Sequence, residues 1–440
     1  MKGDFTRDTF DADSHFSRVL MQQGRVQLDA DWNEQAAILL HSLQSLATDL
    51  IGPHAGPFGN TGFAINSKDS EFSIGAGHYY VDGILCENNT ACTYYTQPDM
   101  RFPKDQKPDF SAILKGNNGP GRYAAYLDVW ERHITHLDQP LIRETALGAA
   151  DTATRAKVVW QVKLMQAGAC ADVDETFLKL NDPAQMAQMS AQLDPGTVIN
   201  DPCITAPDSK YRGAENQLYR VEIHKIYPGV PANAKAPAWT FKWSRENGSV
   251  VAAWLGLNDS GGLVISSTRG FEAGCLVEIT SEANELDNAP GQLIKVSRVD
   301  VDALYLDETP KEPFDLASRL KIRRWDQREV GDIKLYEGAV PGSEGGWIDL
   351  EDGIQVRFEK GRQYNSGDYW QIVARANTGD IEWPQDLTSA GAATPRPLYA
   401  RGIRHHYAPL ALLDVKADSV SLANDCREQF RLPLALLGKS

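Results

Sequence analysis

Residues 77–88 read "GHYYVDGILCEN", and this stretch decides the fold class. Asp82-Gly83 is a dipeptide that accepts the positive φ of a two-residue turn, so the segment predicts a β-hairpin. The same grammar returns in "TFKWSRENGSVVAAW" (240–254) around Asn247-Gly248 and in "WIDLEDGIQVRF" (347–358) around Asp352-Gly353. Alternation with a period of two supports strands elsewhere. Tyr123, Ala125, Leu127 and Val129 share one face, Val158, Trp160, Val162 and Leu164 another, and Ile354, Val356 and Phe358 a third. The opposite faces carry Arg, Lys, Gln and Asp, which predicts half-solvated antiparallel sheets. The chain is therefore expected to be mainly β, built of antiparallel hairpins and sheets, with minor α content and more than one domain.

Two stretches break the pattern. Residues 171–212, including "DETFLKLNDPAQMAQMSAQLDP", read as short helix and loop, and "YPGVPANAKAPAW" (227–239) reads as a surface connection. The expected division is an N-terminal arm and helix (1–66), a β-rich domain (67–170), a helix and loop insertion with linker (171–235) and a C-terminal β-rich domain (236–440).

The one long helix is expected over residues 32–51, roughly 30 Å at 1.5 Å per residue. Asp31 and Glu34 have capping-box spacing, and Gly52-Pro53 closes the far end. Trp32, Ala36, Leu39, Leu43, Leu46 and Leu50 are spaced 4, 3, 4, 3, 4, widened by Leu40 and Ala47. This is a 3.5-residue apolar seam, suited equally to a core helix and to an oligomer axis.

With 440 residues, 42% hydrophobic and 23% charged, the composition is that of a globular protein. A net charge of -15 argues against nucleic-acid binding, which needs clustered Lys and Arg. Lys2, Asp4, Arg7, Asp8 and Asp11 interrupt any apolar run that could serve as a signal peptide, so assembly in the cytoplasm is expected. No transmembrane span is found. Six cysteines (Cys86, Cys92, Cys170, Cys203, Cys275, Cys426) occur without a C-x-x-C pair, which predicts reduced thiols.

No metal, cofactor or catalytic site is expected. "DADWNE" begins like a calcium loop with Asp29, Asp31 and Asn33, but Glu34 stands where glycine is needed and Leu40 where a bidentate acid is needed. The pairs His133/His136 and His405/His406 project to opposite faces of a strand and do not converge on one ion. Glu131, Asp138, Glu144 and Asp151 supply carboxylates for a hydrolase, yet none of the common catalytic motifs is present.

Five stretches carry a resemblance: "KGDFTRDTFDADSHFSRVLMQQGRVQLDADWNEQ", "YLDVWERHITHLDQPLIRETALGAADTATRAKVVWQVKL", "FKWSRENGSVV", "SGDYWQIVARANTGDIEWP" and "GIRHHYAPLALL". They resemble an uncharacterised bacterial family associated with gene clusters for phage-tail-like extracellular contractile injection systems. The resemblance implies a structural component of the baseplate, spike, fibre, cage or cap, and brings no catalytic residues with it. Its implied partners are other particle subunits: baseplate, sheath, tube or cap proteins.

In that setting "QGRVQLDADWN" (23–33) is read as a docking element, with Arg25, Gln27, Asp29 and Asp31 as hydrogen-bonding anchors beside Trp32 as an aromatic plug. The competing reading is that the same polar groups only cap the helix. Leu39, Leu43, Leu46 and Leu50 extend the expected interface, and a homo-oligomer, with a trimer favoured, would bury them. The alternative function is a carbohydrate-binding or carbohydrate-cleaving surface protein, motivated by Tyr126 and Trp130 alternating on the outer face of one strand. Membrane contact has no support in the sequence.

Overall fold

The computed structural model describes residues 1–68, 71–101, 119–180, 183–196, 210–230, 236–311, 319–329, 331, 333–387, 393–416 and 419–431. It is mainly β, with several sheets and an N-terminal helix. Two compact units are present, each assembled from stretches far apart in sequence. The helix unit comprises Thr9–Ile134, Arg155–Asp182 and Ile403–Ser440, and the barrel unit Met1–Asp8, Thr135–Thr154 and Pro183–Gly402. The expectation of four consecutive segments does not describe this interleaving.

The helix unit centres on the 14-residue strand Gly121–Ile134, paired antiparallel with Arg155–Gln166 on one side and His406–Lys416 on the other. A second sheet orders Gln429–Phe430, His54–Pro57, Gly77–Val81 and Ile84–Asn88, with the first two parallel. The predicted hairpin at Asp82-Gly83 is present, both residues having positive φ. The alternating residues Tyr123, Ala125, Leu127, Val129, Trp160 and Val162 all enter one core with Phe63, Phe72, Tyr79 and Ile84.

The other face of the long strand departs from expectation, because it is covered too. Helix Ala171–Leu180 lays Val173 against Ala124, Leu412 and Cys426, and Phe177 stacks on Tyr407 at 3.5 Å. A disulfide joins Cys170, just before this helix, to Cys426, correcting the expectation of reduced thiols throughout. Cys86, Cys92 and Cys275 are free, and Cys203 lies outside the described residues.

In the barrel unit, the sheet Val340–Pro341, Trp239–Ser244, Gln217–Ile226, Tyr369–Arg375, Asp380–Glu382 shares a core with the sheet Ile348–Asp349, Ile354–Phe358, Gln188–Leu193, Leu398–Tyr399. Ile354, Val356 and Phe358 lie in this core as the alternation requires, and the Asp352-Gly353 turn is a hairpin. Six further strands close a barrel in the order Val251–Leu257, Leu263–Ile265, Ala303–Leu306, Gln292–Val299, Leu276–Thr280, Lys321–Trp325, filled by residues such as Ile279, Ile294, Leu304 and Ile322.

Two segments depart from their local patterns. Asn247-Gly248 has the predicted positive φ, but its flanking strands enter different sheets, so the turn is a sheet-to-barrel corner and not a hairpin. Within 171–212 the helix is present, but Gln188–Leu193 is an interior strand, bonded to Ile354–Phe358 and Leu398–Tyr399. Residues 181–182, 197–209 and 231–235 of the two loop-like stretches lie outside the described residues. Among the described residues no helix is long and apolar enough to cross a membrane.

Candidate docking surface

The N-terminal helix runs Asp29–Ile51, beginning three residues earlier than expected. Its N-cap is Leu28, in extended geometry, with no side-chain cap bond. The predicted capping box is therefore absent: Asp29 and Asp31 sit inside the first turn, where their charge favours the positive end of the helix dipole. Glu34 instead accepts the Thr9 hydroxyl at 2.5 Å, and Gln35 Oε1 accepts the Val19 N–H at 2.9 Å. With Phe10 against His41 at 5.7 Å, these contacts tie the preceding arm to the helix. The far end is as expected: Gly52 has φ 92° and its N–H bonds Thr48 O at 2.8 Å.

The packing of this helix is inverted. Its buried residues are Ala30 and Ile38, flanked by half-buried Glu34, Gln35, Ala37, Gln44, Ala47 and Thr48. At 100° per residue these positions, small or polar except for Ile38, lie roughly opposite the leucine seam. The inner side is fitted so closely that a Cβ on Gly83 would fall 2.3 Å from Gln44 O. The seam itself faces outward, with Trp32 67%, Leu39 54%, Leu43 63%, Leu46 56% and Leu50 75% exposed.

Arg25, Gln27 and Asp29 are also exposed, and Asp31 is half-buried. Phe16, Leu20, Met21, Val26 and Leu28 continue the apolar exposure along the arm. Half of the large exposed apolar side chains among the described residues fall between Phe16 and Phe58. A contiguous apolar stripe of several hundred Å² is the size at which an exposed patch marks an interaction site.

The other chemical candidates disperse. His405 Nδ1 meets Asp128 at 2.6 Å, His406 Nδ1 meets Asp82 at 2.8 Å, and His136 Nδ1 meets Asp151 at 2.9 Å. Each of these histidines is thus held by its own carboxylate. Glu144 caps a short turn at Ala146, while Asp138 pairs with Lys321. Among the described residues no group of three or more His, Cys, Asp or Glu could hold a metal ion. Trp130 is 1% exposed and stacks on His405 at 4.8 Å, and Tyr126 is half-buried against Phe177. These rings are not the outward platform that their alternation suggested, because residues 171–180 and 405–407 cover that face.

Sequence reasoning missed an ionic interior in the barrel unit. Lys242 Nζ lies 2.6 Å from Glu278 and 3.3 Å from Glu222, and Lys2 reaches Glu222 at 2.9 Å. Asn247 holds the first residues through Met1 O and Gly3 O. Burial alone would raise both acids. Lys2, Arg220 and Lys242 nevertheless hold Glu222 well below the usual carboxylate range, and Lys242, Lys2 and His224 bring Glu278 down to about 2. Burial, then Lys242, lowers His224 to about 3, so its ring is neutral near pH 7. The strands themselves alternate, with Tyr219, Val221 and Ile223 opposite Arg220, Glu222 and His224, so the local pattern predicts a solvated charged face and gives no sign that it is covered.

A family model matches residues 1–182, 169–261 and 309–432, well over half of the chain, and the chain belongs to that family: a family of unknown function (DUF6519). No curated protein matches. No solved structure matches either.

Proposed function

We propose that this chain is a non-enzymatic structural component of a phage-tail-like contractile injection particle, docked through its N-terminal arm and helix. The observation that carries the docking step is the outward leucine seam on a helix whose small, polar side packs on its own unit. Leaving Trp32, Leu39, Leu43, Leu46 and Leu50 more than half exposed forfeits about 1–2 kcal/mol per side chain relative to burial, which a partner surface recovers. The particle setting is supported by the resemblance of the five sequence stretches. A second copy or a neighbouring subunit fits the seam, and a trimer is the favoured self-association because a broad stripe contacts two neighbours at once.

The test must spare Met1–Asp8, because Lys2 belongs to the buried ionic cluster and deleting the segment would damage the barrel unit. Leu43→Asp and Leu46→Asp together should leave the circular dichroism spectrum unchanged while lowering the mass by light scattering and the occupancy in purified particles. A folded double variant that keeps the parental mass and enters particles at normal occupancy would place the anchor elsewhere.

A further inference from the structure

Three side chains in the barrel unit, from distant stretches, meet around one nitrogen. Lys321 opens a barrel strand, Asp138 lies in a loop and Glu285 sits on the short helix Glu282–Leu286. Lys321 Nζ is 2.7 Å from Asp138 Oδ1 and 2.8 Å from each carboxylate oxygen of Glu285. The Lys321 and Asp138 side chains are 6% exposed, and that of Glu285 22%. Asp138 Oδ2, the oxygen turned away from the lysine, accepts from both the N–H and the hydroxyl of Thr135 at 3.0 Å.

We infer that this is a site of self-catalysed isopeptide formation, joining Lys321 Nζ to Asp138 Cγ through an amide. The inference stands independently of the docking reading. Nucleophile and carboxyl are already in contact, so the entropy of bringing them together is met by folding. Glu285 accepts a proton from the ammonium, and the freed amine attacks Asp138 Cγ. Charge collects on Oδ2, where the two Thr135 donors point, an arrangement of the oxyanion-hole kind. Glu285 passes that proton and a second one from the nitrogen to Oδ1. The Cγ–Oδ1 bond breaks, water leaves and Glu285 is again a carboxylate. Ammonium plus carboxylate gives amide plus water, with no oxidant or co-reactant.

Lys242 provides the internal contrast. It too is buried between two acids, but Lys2, Arg220 and Lys242 together hold Glu222 far down, and Glu278 is at about 2. Glu222 is also held by Arg220 at 2.6 Å and Lys2 at 2.9 Å, so it is not free to carry a proton from Lys242 to Glu278, and that site remains ionic. At Asp138 the product would tie the loop Thr135–Thr154 to the barrel strand across 183 residues of sequence.

The experiment is intact mass spectrometry and peptide mapping of the full, reduced chain. The expected mass is one water below that of the sequence, with a branched peptide joining Asp138 to Lys321. Lys321→Met should restore the full mass, and Glu285→Gln should slow cross-linking by on the order of 100-fold or more. If Lys321→Met does not fold, the map of the unaltered chain decides alone. An unaltered chain at full mass, a water loss mapped to another site, or a Glu285→Gln variant cross-linking at the parental rate would overturn the assignment.

Discussion

Two regions of this molecule reverse the usual placement of side chains, in opposite senses. The barrel unit puts Glu222, Lys242 and Glu278 inside, with half-buried Lys2 beside them, whereas the N-terminal helix puts Trp32 and four leucines outside. In the interior every one of those charges has an oppositely charged partner within the same chain, so desolvation is offset locally. On the helix the apolar seam faces away from its own unit, and the offset has to come from another surface. A buried charge is explained by its partners; an exposed leucine seam asks for one.

The contrast is broken most directly from the inside. Lys242→Met should destabilise the barrel unit by about 3–5 kcal/mol in urea unfolding, since it leaves Glu222 and Glu278 without the cation between them. A loss below about 1 kcal/mol would mean that the cluster is wetter than its burial indicates.

Acid should act in the same direction, by up to a few kcal/mol. His224 ordinarily titrates at 6.5 and is held at about 3 in the fold, so unfolded chains bind its proton first and stability falls as pH drops below about 6.5. Glu278, ordinarily at 4.5 and held at about 2, contributes fully above its unfolded value and loses that contribution as pH falls towards 2. Asp368, raised by burial from 3.8 to about 6, opposes them, because its protonated form is favoured in the fold. The melting temperature should therefore decline between pH 6.5 and 3, and a flat profile over that range would refute the linkage.

Reducing Cys170–Cys426 should lower the stability of the helix unit by about 2–4 kcal/mol, because the bond spans 256 residues and loop entropy returns to the unfolded chain. Calorimetry with and without reductant measures it, and an unchanged transition would mean that the covering helix is held by Val173 and Phe177 alone. The smallest effect is expected on the outer face. Leu43→Ala should change the stability of the isolated chain by less than about 0.5 kcal/mol, as a surface substitution does. A loss of 2 kcal/mol or more, the scale of a core truncation, in a preparation that is monomeric by light scattering would show the seam covered within its own unit.

How much of this was legible follows from the range of the interactions involved. The strands of Tyr123–Val129, Val158–Leu164 and Ile354–Phe358 could be read because alternation is local. The turn residues Asp82, Asn247 and Asp352 could be read because positive φ is a property of two residues. Where the flanking strands go is another matter: Asn247-Gly248 has hairpin chemistry, yet its neighbours pair with Gln217–Ile226 and Lys321–Trp325. The cap was misplaced for a related reason, since Glu34 found Thr9 in the arm instead of its own backbone.

The sequence by itself determined the β-rich class, the existence and far end of the N-terminal helix, and the presence of a leucine seam on it. Each follows from periodicity or from the conformational limits of glycine and its neighbours over a few residues. Only the tertiary structure decided that the small face of that helix packs inward, that Cys170 meets Cys426, that Trp130 is covered, and that Lys242 and Lys321 are each enclosed by two acids. These depend on which distant segments arrive at the same place, and burial and charge pairing are properties of that arrival and not of any local pattern.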